Sequence, residues 1–240
     1  MPSLTSHLLH LDEAALTRAT THPFLSAAAT STLPTAKLQH WLAQDRLYAL
    51  SYTNFIGALL AQISIPTGPA RERSVEWRVC DVLIDALVNI RRELGLFEAT
   101  AREEGWSAQI CGDALQVERP TRCYRDLFAG SVAQGKPVIV GLVVLWATEE
   151  CYLRSWKFAA SRIPKEGGEG ARSGTAGVMQ RVFIPNWSSR EFEAFVRKLR
   201  GLVNRMGNLW GVEEGDWVWR ECEMAWRQVL WCEEEFWPEV

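Results

Sequence analysis

The chain has 240 residues, 48% of them hydrophobic, and a formal net charge of −3. That length suits one substantial domain, and the small net charge excludes a strong basic field for nucleic acid or an anionic membrane surface. Since there is no apolar run of about 18 residues, no secretory signal and no CxxC pair among the six cysteines, we expect a soluble cytoplasmic protein with reduced thiols.

Apolar residues recur with the 3.6-residue period of helices along most of the chain, which predicts an all-α, single-domain fold. A first long helix is expected from about residue 35 to 63, after Thr32-Leu33-Pro34. Ser74 can cap a second helix, which should continue to about Leu94, because Gly95 supplies a stop signal.

Four further helices are expected at about residues 121–134, 138–162, 189–206 and 215–237. Residues 165–177 contain five glycines among charged and hydroxylic residues. They include neither G-x-G-x-x-G nor G-K-[ST], so they are predicted to be a flexible surface insertion rather than a phosphate cradle. His7 and His10 are expected to lie near a mobile N-terminus.

Three of the predicted helices carry a carboxylate on an apolar face. The first long helix has one stripe at spacings of four, three, four and three, formed by Trp41, Asp45, Tyr48, Tyr52 and Phe55. The other two stripes contain Trp146, Glu149, Tyr152 and Trp156, and Trp226, Leu230, Glu233 and Trp237. Buried carboxylates are costly unless a partner or ligand satisfies them.

These carboxylates are predicted to converge on a buried pocket for a small polar ligand. Tyrosines suit such a pocket because they stack on a heterocycle and hydrogen-bond to it, and the candidates are Tyr48, Tyr124 and Tyr152. Taken singly, each carboxylate could instead form a salt bridge or a hydrogen bond to a neighbouring helix. With no HExxH motif and no dense His/Cys/Asp cluster, neither a metal nor a cofactor is expected.

Two sequence motifs resemble those of the TenA/thiaminase II family. The N-terminal signature is similar to His22-Pro23-Phe24, Thr32-Leu33-Pro34, Trp41-Leu42 and Gln44-Asp45-Arg46-Leu47-Tyr48. The closing E-x-x-F-W motif is similar to Glu233-x-x-Phe236-Trp237. The resemblance extends from about residue 20 to 237, and the two motifs occur in the right order and at the right separation.

The resemblance implies a heme-oxygenase-like helical bundle that binds no heme and hydrolyses pyrimidines related to thiamine. Asp45 would then hydrogen-bond to the ring nitrogen and the exocyclic amine of the pyrimidine. Glu233 would shuttle protons, and Tyr48 would hydrogen-bond to these carboxylates. Tyr124 would be the pocket tyrosine of the short middle helix. Further candidates for substrate contact are Trp41, Tyr152 and Trp187. A homo-oligomer, either a dimer or a tetramer, is also implied.

One departure from the family pattern bears on the substrate. Many members have a nucleophilic cysteine where this chain has Leu145-Trp146-Ala147. The segment Trp146-Ala147-Thr148-Glu149-x-x-Tyr152 instead resembles the glutamate-type branch, and Asn186-Trp187 places Trp where cysteine-type members have Tyr. This branch implies an aminopyrimidine aminohydrolase acting on aminomethyl-pyrimidine or its N-formyl derivative in thiamine salvage, with Glu149 and Glu233 as the catalytic residues.

Cys151 does not replace the missing nucleophile, because it lies about 200° round the helix from Glu149 and is expected to be a buried structural thiol. Two other functions remain open. A non-catalytic pyrimidine- or thiamine-binding regulator would bind without releasing ammonia. An oxidase related to cofactor-less quinone-forming enzymes of the same fold would need a basic, histidine-bearing pocket, and the acidic set found here has the wrong charge.

Overall fold

The computed structural model describes residues 3–164 and 177–240, and every regular element in these ranges is helical. This confirms the all-α prediction. The α-helices in chain order are α1 (Leu4–Leu11), α2 (Glu13–Thr20), α3 (Pro23–Ala29), α4 (Thr35–Gln62), α5 (Val75–Glu103), α6 (Ser107–Cys111), α7 (Arg119–Ser131), α8 (Val138–Arg162), α9 (Ile184–Trp187), α10 (Arg190–Leu209) and α11 (Trp217–Phe236). None of these helices is long and apolar enough to span a bilayer.

Helix α8 lies at the centre of the bundle. Every residue from Ile139 to Thr148 is buried, as expected for a helix that is apolar on all sides. It packs against α10 and α11 and approaches α4 and α7. The approach is close at Gly141, where an added Cβ would come within 2.5 Å of Leu59 Cδ2. This packing brings the inward faces of α4, α8 and α11 together.

Helix α5 is longer than the sequence predicted. Ser74 caps it as expected, since its hydroxyl accepts a hydrogen bond from the Trp77 amide, but the helix continues through Gly95 to Glu103. A mid-helix glycine costs only about 1 kcal/mol. Burial of Phe97 and Ala101 beyond it offsets that cost, so tertiary packing overrides the local stop signal.

The remaining predicted helices are present with shifted ends. Helix α7 begins and ends two to three residues earlier than expected, whereas α10 extends three residues further, to Leu209. Ser189 and Asp216 cap α10 and α11 through side-chain oxygens that accept backbone N–H groups. The predicted flexible insertion at 165–177 lies outside the described residues, apart from Gly177.

His7 and His10 lie on α1, which packs against α10 and α11. His7 Nε2 lies 2.6 Å from Glu223 Oε1, and its ring lies 4.9 Å from that of Trp219. The Thr5 amide donates to Asn204 Oδ1 over 3.0 Å. Long-range side-chain contacts, which local periodicity does not reveal, hold this segment in place.

Substitution of Leu8 tests whether this docking contributes to stability. Leu8 is fully buried, so Leu8→Ala should lower the free energy of unfolding by about 2–5 kcal/mol through lost burial and the cavity left behind. The control Leu50→Ala removes a side chain that is 41% exposed and should cost no more than about 0.5 kcal/mol. Chemical denaturation measures both; equal effects would show that α1 is not docked.

Candidate active site

A narrow cavity lies between α4, α5, α8 and α10. The space free of protein atoms in the cavity and its mouth, open solvent included, is about 510 Å³, and the centre of a water molecule can occupy only about 30 Å³ of it. The lining residues are Asp45, Tyr48, Ala49 and Tyr52 of α4, Ala86, Asn89, Ile90, Glu93 and Phe97 of α5, Thr148, Glu149 and Tyr152 of α8, and Phe192 and Phe195 of α10. So narrow a slot with aromatic walls suits a flat ligand.

Each of the three predicted carboxylates accepts a hydrogen bond from its own tyrosine. The pairs are Tyr152 Oη to Asp45 Oδ2 at 2.8 Å, Tyr52 Oη to Glu149 Oε1, and Tyr124 Oη to Glu233 Oε1. With Tyr48 on the cavity wall, all four tyrosines of the chain lie in or beside the site. The pairs therefore join α4 to α8 and α7 to α11 around the cavity.

Burial shifts the acid–base properties of these carboxylates. Loss of solvation raises the pKa of Asp45, of Glu149 and of Glu233 to about 8 in each case. The tyrosine hydroxyls act in the opposite direction, since they stabilise the ionised forms, but desolvation is the larger effect. At neutral pH all three groups are therefore poised to donate or accept a proton.

Tyr48 was expected to hydrogen-bond to the carboxylates, and this detail is wrong. It lines the cavity and its ring packs edge-on against Tyr124, with 4.9 Å between centroids, while its hydroxyl interacts with Thr148. Tyr52, one turn further along α4, donates to Glu149 instead. The stripe placed both tyrosines on the inward face, but only the helix packing decided which hydroxyl reaches Glu149.

Glu233 lies beside the cavity rather than on its lining. Its side chain is buried next to Tyr48, whose pKa it raises, and its own pKa responds to the charges of Asp45 and Glu149. Glu233 therefore interacts electrostatically with the cavity carboxylates without lining the cavity itself.

Trp41 and Trp187, two predicted substrate contacts, lie in the aromatic core behind the cavity. Trp41 packs between Trp156 and Trp237, at centroid distances of 5.6 and 5.7 Å. Trp187 lies 5.2 Å from the ring of Tyr152, so it supports that tyrosine from behind. Neither indole lines the cavity, because each is enclosed by other aromatic rings.

Glu93 is a cavity residue that the sequence reasoning missed. It lies on the buried face of α5, three and four residues from Ile90 and Phe97 respectively. Its pKa is raised by burial, and its charge in turn raises the pKa of Asp45 and that of Glu149. The apolar spacing could have revealed it, but the helix was expected to end at about Leu94, before Phe97.

Two further features concern chemistry at the site. Cys151 is fully buried and does not line the cavity, and burial raises the pKa of its thiol well above the ordinary value, which makes it a poor nucleophile. Across residues 3–164 and 177–240, no group of three or more His, Cys, Asp or Glu side chains is arranged to hold a metal ion.

The raised pKa values predict how stability depends on pH. A carboxyl whose pKa rises from 4.5 unfolded to about 8 folded is destabilising when ionised, so stability falls as the pH rises between these values, by up to about 1.4 kcal/mol per pH unit per group. We expect Glu233→Gln to match the wild type near about pH 5 and to melt at a higher temperature near about pH 9. A difference in melting temperature between Glu233→Gln and the wild type that stayed constant across this pH range would contradict the raised pKa of Glu233.

The sequence of the chain matches known proteins along most of its length. Residues 10–238 match the TENA/THI-4/PQQC family. A Fusarium pseudograminearum protein named a probable transcription factor is 29% identical over the whole chain, which spans only 52% of that protein. A Glycine max protein named a probable bifunctional TENA-E protein is 22% identical, over 91% of this chain and 85% of its own length.

Solved structures show the same fold. A TenA homologue from Pyrococcus furiosus superposes with a TM-score of 0.76 at 20% identity, covering 98% of both chains. A TenA family transcription regulator from a Silicibacter species gives a TM-score of 0.77 at 15% identity, over 98% of this chain and 94% of that one. The fold is thus the heme-oxygenase-like helical bundle, and the chain belongs to the TENA/THI-4/PQQC family.

Proposed function

We propose that this protein hydrolyses an aminomethyl-pyrimidine, or its N-formyl derivative, in thiamine salvage. The observation that carries the proposal is the set of three tyrosine-paired carboxylates with pKa values of about 8 at one narrow cavity. Family membership supports a thiamine-related role. The glutamate at position 149, with no cysteine in its segment of the lining, favours the glutamate-type branch.

Asp45 is proposed to recognise the pyrimidine. A neutral carboxyl donates its proton to a ring nitrogen while its carbonyl oxygen accepts from the adjacent exocyclic amine, which gives two parallel hydrogen bonds. The raised pKa of Asp45 favours this neutral form. Tyr152, which donates to Asp45 Oδ2, holds the carboxyl in place. Tyr48 and Tyr52 offer ring faces on the cavity wall.

Hydrolysis of the aminomethyl group breaks its carbon–nitrogen bond, attaches the oxygen of water to carbon and releases ammonia. Bound as an ammonium, the departing nitrogen already carries the proton with which it leaves, whereas the leaving nitrogen of the N-formyl derivative must gain one, and in both reactions the attacking water must lose one. We propose that Glu149, on the cavity wall, positions and deprotonates water, and that Glu233 shuttles protons: it takes up the proton removed from water, and it supplies one to the leaving nitrogen when the substrate is the N-formyl derivative. For the N-formyl derivative the same pair would cleave the amide and release formate.

A side-by-side assay tests the proposal. Purified protein is incubated separately with aminomethyl-pyrimidine, its N-formyl derivative and thiamine, and released ammonia and formate are measured. Ammonia from the first substrate or formate from the second supports the proposed hydrolysis. Cleavage of thiamine alone would assign the protein to thiaminase activity instead. No turnover of any of the three would overturn the proposal.

A non-catalytic regulator is the second candidate, since two of the similar proteins are named as a transcription factor and a transcription regulator. A regulator of this kind would bind the pyrimidine without releasing ammonia. Titration by calorimetry alongside the assay separates the two functions. Binding without turnover in the wild type would favour regulation, and any direct DNA affinity should fall steeply with salt.

We also propose a homo-oligomer. Helix α11 exposes Trp217, Met224 and Trp231, seven residues apart and thus on one face. A two-fold axis at Met224 would place Trp217 against Trp231 of a second copy and Glu221 against Arg227, which are opposite charges. We expect wild-type protein to sediment as a dimer or larger, and Met224→Glu to sediment as a smaller species. A monomeric wild type would contradict this.

A further inference from the structure

The cavity lining contains a third acidic residue, Glu93, which the proposed reaction does not use. Glu93 faces the cavity from α5, whereas Asp45 and Glu149 face it from α4 and α8. Its charge acts on both of these carboxylates, so the three acids surround the same space. No Lys, Arg or His belongs to the described lining. Such a cavity favours a ligand that brings positive charge with it.

Glu93 differs from its neighbours in its hydrogen bonds. Asp45 and Glu149 each accept a tyrosine hydroxyl. Glu93 Oε1 instead accepts from the amides of Asn89 and Asn186, at 3.4 and 3.5 Å, which are long contacts from neutral donors.

The interactions of Glu93 with charged groups are also weak. The side chain of Trp187 favours its ionised form, although the indole N–H does not reach standard hydrogen-bond geometry. The positive charge of Arg92 acts in the same direction, but within the described part of the chain Glu93 forms no ion pair. Its carboxylate therefore retains capacity for a charge-assisted hydrogen bond from a ligand.

We propose that Glu93 is a specificity-determining residue that binds the protonated amine of the substrate and so selects the cationic aminomethyl-pyrimidine over its neutral N-formyl derivative. This inference rests on the proposed function. A primary ammonium presents three N–H donors to the carboxylate. A formamide is neutral and presents a single N–H. The amine therefore gains an interaction that the amide lacks.

The test is the ratio of kcat/KM values for the two substrates in the wild type and in Glu93→Gln. Loss of a hydrogen bond between charged groups corresponds to about a 10- to 100-fold decrease for the amine, while the value for the N-formyl derivative should change by less than about threefold. Glu103→Gln is the control, because Glu103 lies on the exposed part of the same helix and should leave both values unchanged.

The outcomes separate this inference from the function on which it rests. If the wild type turns over the pyrimidines but Glu93→Gln changes both kcat/KM values equally, or neither, the role of Glu93 is wrong and the proposed function stands. If the wild type acts on neither pyrimidine, both fail. Melting curves of Glu93→Gln and Glu103→Gln verify folding, so that a general loss of structure is not read as altered specificity.

Discussion

Glu233→Gln should lower kcat for aminomethyl-pyrimidine by about 10²–10⁴-fold, the usual contribution of a positioned general acid or base. Glutamine keeps the size of the side chain and can still accept the hydroxyl of Tyr124, so the fold is preserved while the transferable proton is removed. Because Glu233 lies beside the cavity rather than on its lining, the dissociation constant of the pyrimidine should change by less than about threefold. Steady-state kinetics and calorimetric titration measure the two effects.

A neighbouring carboxylate provides the matched control for Glu233. Glu235→Gln makes the same chemical change on an exposed side chain of α11 and should retain kcat within about twofold. Tyr124→Phe removes only the hydrogen bond to Glu233 and should have a smaller effect than Glu233→Gln. Full turnover in Glu233→Gln would rule out its assignment as the proton shuttle and leave Glu149 as the main acid–base residue.

Asp45→Ala should weaken pyrimidine binding by about 5- to 150-fold, which corresponds to about 1–3 kcal/mol for the loss of two neutral hydrogen bonds. The proposed pair of parallel hydrogen bonds disappears, and the Tyr152 hydroxyl loses its acceptor. Calorimetric titration with aminomethyl-pyrimidine gives the dissociation constant. The effect should appear in binding as well as in KM, since recognition precedes the chemical step.

Asp45→Asn separates recognition by a neutral group from recognition by a charge. An amide donates and accepts in the same plane as a protonated carboxyl, so Asp45→Asn should bind more tightly than Asp45→Ala. Asp85→Ala, on an exposed part of α5, controls for the loss of a carboxylate elsewhere. Unchanged binding in Asp45→Ala would show that the pyrimidine is held by other residues.

Helical periodicity was informative because it reports on burial directly. The stripe that contains Asp45 lies on the inward face of α4, and the stripes that contain Glu149 and Glu233 likewise turn toward the bundle interior. Residues that usually end a helix were less reliable indicators. Gly95 does not end α5, since burial of Phe97 and Ala101 outweighs the low helix propensity of one glycine.

The assignment of partners required the packing of the bundle. The sequence places Tyr48 and Tyr52 on one face, but the position of α8 relative to α4 determines that Tyr52 reaches Glu149. The same is true of Trp41, which has the spacing of a pocket residue yet lies among other indoles in the core. Spacing along one helix predicts which way a side chain points. The packing of the neighbouring helices determines which residues that side chain contacts.

The sequence by itself determined that the fold is helical and that Asp45, Glu149 and Glu233 lie on inward faces, because the period of apolar residues defines the buried side of each helix. Only the tertiary structure decided that Glu93 lines the cavity and that Glu233 does not. It also decided which tyrosine hydroxyl donates a hydrogen bond to each carboxylate. These features depend on distances between helices that are remote in the chain, and periodicity within one helix carries no information about those distances.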